Sequence, residues 1–191
     1  DREYLLDNVL TGVHQMHNLA GVVAGLSLLL ALDDYSPEQL RAGFHGTRVA
    51  GRLQELQSRL PCRLIVDVGH NQDAARVLSA SMAELKQDGG RVVVLLGMLE
   101  DKQPDLFVEA LKPAVDAWWA MTLDSERGLD AAELTQRVAT QIEVEQSFER
   151  VEAALVHALS SLTNQDIMLV TGSFVTVELL LRALSNSGEF N

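Results

Sequence analysis

The sequence predicts an α/β fold, a mostly parallel, Rossmann-like sheet of about six strands with helices on both faces, preceded by a helical fragment of another domain. Three observations carry this reading. From Gly51 onward, short β-branched and aliphatic runs alternate with stretches whose apolar residues are spaced by threes and fours. Glycine closes three of the apolar runs, at Gly69, Gly97 and Gly172. Ahead of residue 47 there is a long apolar helical pattern with no strand beside it to cover it.

The elements follow in order. Residues 1–11 carry no start signal. Residues 17–32 read as an apolar helix, stopped by Asp33 and Asp34. This run contains Ser27 and two glycines and is too short for a membrane span, so a buried helix is expected. Ser36-Pro37-Glu38 starts a second helix, with serine as cap, proline at the first turn and an acid behind it, running to about Phe44. Residues 53–57 form an edge strand with polar interruptions, and residues 62–68 return antiparallel to it. Helices are expected at 73–87, 104–111, 130–140, 148–162 and 173–184. The strands between them are 91–96, 114–121, 142–145 and 166–170. Residues 1–46 thus read as the end of a preceding domain plus linker, and 47–191 as an α/β domain.

Composition narrows the function. A 47% apolar chain of 191 residues affords a core for one domain and a piece of another. The net charge of −12 argues against nucleic acid or an anionic membrane as partner. A phosphate ligand stays possible, because a few local cations and helix N-termini outweigh a global charge. The single cysteine, Cys62, permits no internal disulfide and fits a reducing cytoplasm. A monomer is expected.

Parallel strands in one sheet end on one edge, so residues 67–71, 97–98, 122–124 and 172–173 should share a rim. The organising stretch is residues 63–75, RLIVDVGHNQDAA, where an apolar strand ends in Asp67, Gly69, His70 and Asn71 and turns directly into a helix. Polar groups at a strand end beside a helix N-terminus are where α/β proteins hold ligands. Arg52 is a cation just ahead of the edge strand, positioned to reach a phosphate or to remain a surface arginine. Gly172-Ser173 reads as a helix cap whose backbone N–H groups suit an anion. A hydrolytic triad of Ser173, His70 and Asp67 is disfavoured, because the sequence around Ser173 lacks the nucleophile-elbow pattern. Residues 46–53 resemble a phosphate-binding P-loop in spacing only, with Arg52 and Leu53 where lysine and a hydroxyl are needed. No dinucleotide fingerprint is present. His14 and His17 lack a third partner for a metal site, His45 and His157 read as surface or boundary residues, and Trp118 and Trp119 alternate across a strand.

Four ordered segments carry a resemblance. Residues 67–74 (DVGHNQDA) resemble the DxAHNPxA motif of folylpolyglutamate synthases, members of the ATP-dependent Mur ligase superfamily. Gly51-Arg52-Leu53 resembles the motif that opens their C-terminal domain, residues 94–102 (VLLGMLEDK) their VLGMLxDKD segment, and residues 171–177 (TGSFVTV) their GSFxTV motif. Residues 17–20 (HNLA) match the helix that ends the central domain. The bacterial bifunctional dihydrofolate synthase/folylpolyglutamate synthase family is the best fit, over residues 12 to the end.

The resemblance implies an ATP-driven amide ligation, in which a carboxyl group is phosphorylated and the amine of L-glutamate attacks the acyl phosphate. The small-molecule substrates implied are ATP, L-glutamate and dihydropteroate or folate. By family position Asn18, Arg52 and Asp67 would contact ATP, while His70 and Ser173 would lie toward the incoming glutamate as the catalytic pair. No metal ligand is assigned within the chain; Mg2+ is expected as cofactor, with its ligands in an N-terminal part beyond these residues. The chain departs from the motif at Gly69, where alanine is usual, and at Gln72, where proline is usual. Taken alone, the polypeptide is expected to be inactive. The competing readings are a cell-wall Mur ligase C-terminal domain and a non-catalytic binding module of the same fold.

Overall fold

The computed structural model describes residues 13–29, 35–45 and 51–186. The chain divides into two compact units, Asp1–Ala50 and Gly51–Asn191. In the first unit, helix α1 (Val13–Leu29) begins four residues earlier than the apolar pattern suggests. The expected end of that helix, residues 30–32, lies outside the described residues, as do the side chains of His14, His17 and His45. Helix α2 (Pro37–His45) starts as expected. Ser36 Oγ accepts from the Gln39 N–H at 3.2 Å and Gln39 Oε1 accepts from the Ser36 N–H at 2.8 Å, a reciprocal capping box that satisfies two end amides at once.

The second unit is a six-stranded sheet in the order β1-β2-β6-β3-β4-β5. Its strands are β1 (Gln54–Leu56), β2 (Arg63–Val66), β3 (Val92–Leu96), β4 (Ala117–Met121), β5 (Gln146–Phe148) and β6 (Ile167–Thr171). Only β1 runs antiparallel, against β2; every other pair is parallel. The helices are α3 (Gln72–Leu85), α4 (Pro104–Leu111), α5 (Ala131–Val138), α6 (Val151–Ser161) and α7 (Phe174–Asn186).

The period of two in each strand sorts its side chains onto two cores. Val93, Leu95, Met168 and Val170 face α6 and α7. Val92, Val94, Ile167 and Leu169 face α3, α4 and α5. Trp119 and Trp118 divide in the same way, one to each face, as their alternation predicts. Both central strands are buried along their whole length, which is why their sequences are unbroken apolar runs. The faces follow from chain direction. From β2 the chain steps outward through β3, β4 and β5, with α3, α4 and α5 on one face, then α6 returns it across the other face to β6, in the gap between β2 and β3. Right-handed crossovers require the helix to change face when the direction reverses.

One expected strand is misplaced. Residues 142–145 alternate apolar and acidic side chains, but the ladder with β4 is made by Gln146–Phe148, paired from Trp119↔Gln146 to Met121↔Phe148. The earlier residues are the approach to it: Ile142 and Val144 pack at the edge of one core, and the Glu145 N–H donates to the Trp118 carbonyl at 2.8 Å. Residue 114, expected to open β4, instead closes a 3-10 turn (Lys112–Ala114) around Pro113, and the strand begins at Ala117. Helix α6 likewise begins at Val151 rather than 148.

Candidate functional site

The carboxyl ends of the parallel strands form one continuous rim, stitched by backbone bonds. Gly172 N–H donates to the Gly69 carbonyl at 3.1 Å, joining the ends of β2 and β6. Gly97 N–H donates to the Thr171 carbonyl at 3.2 Å, joining β6 to β3. Thr122 N–H donates to the Phe148 carbonyl at 2.9 Å, joining β4 to β5. The neighbours β2 and β6 send their following helices, α3 and α7, to opposite faces. That divergence opens a crevice between their ends, the switch point at which open α/β sheets take ligands.

Asp67 sits at the mouth of this crevice. Its carboxylate is 6% exposed, with Oδ1 accepting from the Gly69 N–H at 2.7 Å and Oδ2 from the Leu53 N–H at 2.9 Å. It therefore braces two segments, the β2–α3 turn and residues 51–53. The second is an unusual turn. Gly51 has φ +69 and Leu53 has φ +43, so Arg52 is held between two left-handed residues. A leucine in that region costs about 1 kcal/mol or more and persists only where its surroundings fix it. Here the fixing groups are Asp67, on the Leu53 N–H, and the Val68 N–H, which donates to the Gly51 carbonyl at 2.9 Å. A side chain at Gly51 would overlap Val68. Arg52 itself is exposed and forms no ion pair among the described residues. A pinned turn thus carries an exposed arginine one residue before the amide that the buried carboxylate accepts.

His70 is half-buried two residues beyond Val68, and its Nδ1 lies 3.0 Å from the Val68 carbonyl. The carbonyl can only accept, so Nδ1 carries a proton, and in the neutral ring Nε2 is then the acceptor. Asn71 caps α3, its Oδ1 accepting from the Ala74 N–H at 2.9 Å, so the helix begins one turn from the carboxylate.

Ser173 behaves as the helix cap read from its sequence. It is 2% exposed, its Oγ accepts from the Thr176 N–H at 3.0 Å and lies 2.7 Å from Thr176 Oγ1. Thr176 gives its own proton to the Gly97 carbonyl at 2.6 Å, so Ser173 must be the donor in the hydroxyl pair. Its proton is therefore engaged within the fold, and what α7 presents to the crevice is its first-turn backbone amides. Gly172 makes this possible: at φ +113 its α-carbon lies against the Gly97 carbonyl oxygen, where any β-carbon would collide with backbone.

The structure brings together Arg52, Asp67, His70 and Ser173 around the ends of β2 and β6. Asn18 lies exposed on α1, in the first unit. Sequence reasoning missed Thr176, whose place three residues after a capping serine was the available signal. It also missed the left-handed Leu53, for which the sequence carries no signal. Among the described residues no group of three or more His, Cys, Asp or Glu side chains could hold a metal ion, and no helix is long and apolar enough to cross a membrane.

A family model described as the Mur ligase, glutamate ligase domain, matches residues 51–174. The chain is 33% identical over 178 residues to a dihydrofolate synthase/folylpolyglutamate synthase of Haemophilus influenzae, covering 84% of this chain and 40% of that protein. A crystal structure of a bifunctional folylpolyglutamate synthase/dihydrofolate synthase from Yersinia pestis, complexed with AMPPNP and a manganese ion, is 33% identical with a TM-score of 0.69, over 78% of this chain and 35% of that one. A Mycobacterium tuberculosis folylpolyglutamate synthase, 23% identical with a TM-score of 0.75, shares the fold over 93% of this chain and 41% of that one. The chain thus spans less than half the length of each of these relatives.

Proposed function

The chain belongs to the Mur ligase family through its glutamate ligase domain, and from that premise we propose that it is the C-terminal part of an ATP-dependent carboxylate–amine ligase that adds L-glutamate to dihydropteroate, to folate polyglutamate, or to both. Residues 1–46 are then the end of the central ATPase domain and its linker. The observation that carries the reading is the strained turn at residues 51–53, whose backbone Asp67 braces at the switch-point crevice and from which the exposed Arg52 projects. A backbone strained and pinned on both sides of an exposed arginine suits a cation that meets an anion.

In this reading the reaction runs in two steps. The substrate carboxylate takes the terminal phosphoryl group of ATP, giving an acyl phosphate and ADP. The glutamate amine then attacks the acyl carbon, an amide bond forms, and inorganic phosphate leaves with the bonding pair. Arg52 neutralises phosphate charge as it builds during the transfer. Asp67 holds the backbone of the turn from which Arg52 projects. His70 is suited to take the proton released by the amine, because Nδ1 is committed to Val68 and Nε2 is an acceptor. Ser173 acts as a positioning residue, aiming the first amides of α7 at the crevice. Asn18 contacts the nucleotide from α1. Magnesium would stabilise the transferring phosphoryl group, and among the described residues no cluster of three or more His, Cys, Asp or Glu side chains assembles a site for it. A cytoplasmic location and a monomeric state complete the proposal.

The test is stoichiometric. Full-length protein given ATP, labelled glutamate and dihydropteroate or a folate is expected to release one phosphate per amide formed, and hydroxylamine is expected to trap the activated carboxylate. Incorporation of a different amino acid into a muramyl peptide would transfer the reading to the cell-wall branch. ATP binding without any ligation would favour a binding module.

A further inference from the structure

A groove of about 630 Å³ opens on the same rim beside the ends of β4 and β5 and runs along α7. It is separate from the Arg52–His70 crevice. Two strands, β6 and β3, stand between β2 and β4, and at one strand spacing of about 4.8 Å each the two openings lie roughly 14 Å apart along the rim. The groove has an apolar floor of Met121, Val151 and Leu179, while its walls carry Arg150 and Arg182. These guanidiniums are 76% and 70% exposed, and each leans on one nearby carboxylate, Glu152 and Glu178. Exposed pairs of this kind contribute little, so either arginine can turn to a ligand without stranding a buried charge. Helix α6 also starts here, with no side chain capping its first amides. A groove of this volume takes a ligand of several linked units rather than one amino acid.

We propose that this groove holds the γ-glutamyl tail of the growing product, a proposal that rests on the ligase reading above. A γ-linked chain alternates a two-methylene stretch with a free α-carboxylate. The apolar floor matches the methylenes and the separated guanidiniums match the carboxylates. Asp124, Glu149 and Glu152 also line the groove, so two cations face three carboxylates there. Binding is therefore weak and salt-sensitive, which suits a tail that must shift each time a residue is added.

The binding test is an NMR titration of this chain with tetra-γ-L-glutamate, its α-linked isomer and free L-glutamate. The γ-linked oligomer is expected to shift the amides of residues 149–152 and 179–186. An Arg150→Ala/Arg182→Ala double variant, altered only at exposed side chains, is expected to bind it about tenfold more weakly. Equal affinity for the α-linked isomer, shifts confined to residues 67–73, or unchanged affinity in the double variant would overturn the proposal. In the full-length protein, the same variant is expected to raise the ratio of KM for a tri-glutamylated over a mono-glutamylated substrate about fivefold; an unchanged ratio counts against the groove. A parent protein that ligates no glutamate at all would remove the ligase reading, while the titration still decides whether the groove takes the oligomer.

Discussion

The two edges of this sheet are built from the same strands and treat charge in opposite ways. At the amino edge three cations are held by carboxylates. Lys86 Nζ donates to both oxygens of Asp116 at 2.7 Å, Arg63 pairs with Glu55 at 2.9 Å, and Arg91 Nε lies 3.7 Å from Asp166. The two aspartates also accept backbone N–H groups that start β3, from Val92 at 2.7 Å and from Arg91 at 2.8 Å. At the carboxyl edge the buried carboxylate, Asp67, also accepts backbone N–H groups, but the neighbouring cation, Arg52, pairs with no carboxylate among the described residues. The amino-edge aspartates hold both a cation and the first amides of a strand. At the carboxyl edge Asp67 braces the backbone of a turn whose arginine stays exposed.

The largest expected effect comes from the rim's backbone. Gly172→Ala places a β-carbon against the Gly97 carbonyl, so it should destabilise the chain by about 3 kcal/mol or more, read as a lower midpoint in urea unfolding. A smaller effect would mean that β6 and β3 separate at the rim more easily than their bonding suggests. Next comes the amino edge. Asp166→Asn keeps one acceptor oxygen but sets an amide group against the donors of Arg91 and Thr163, at an expected cost of about 2 kcal/mol.

The pH dependence separates the two terms further. Burial pushes the Asp166 carboxyl up, but hydrogen bonds from the Arg91 N–H and from the N–H and hydroxyl of Thr163 outweigh it and hold it below its ordinary value of 3.8. A depressed folded-state value means the contribution is full above about pH 4 and is lost as pH falls through the folded value. The stability difference between the parent and Asp166→Asn should therefore shrink as pH drops below 3.8, measured by urea unfolding across that range. A constant difference would assign the cost to packing. The smallest effect belongs to Lys86→Ala, a pair about a third exposed on both sides, expected to cost at most about 1 kcal/mol.

Much of this was legible in the sequence, for reasons that differ by element. The buried strands β3 and β6 announced themselves because both faces are covered and no polar residue interrupts them. The shared rim followed from parallel topology alone. Strand β5 was misread because an edge strand needs only one ladder, and its Gln146-Ser147-Phe148 carries little apolar signal beside the better-alternating residues before it. At the site, Asp67 and His70 stood out as polar groups closing an apolar run. The family resemblance anticipated the glutamate ligase domain that the comparisons then matched. What the sequence could not convey was how Arg52 is held, since the left-handed Leu53 depends on a bond to Asp67 fourteen positions away. Nor could it convey that Ser173 spends its proton on Thr176, or that a second groove opens beside β5.

The central claim is that Arg52 is held for a ligand and contributes nothing to the fold. Arg52→Ala in the full-length protein tests it most directly, with unfolding and glutamate incorporation measured on the same preparation. The expected result is a stability within about 0.5 kcal/mol of the parent and an incorporation rate lower by about a hundredfold or more. Incorporation at the parental rate, or a loss of activity that merely tracks a loss of stability, would contradict it.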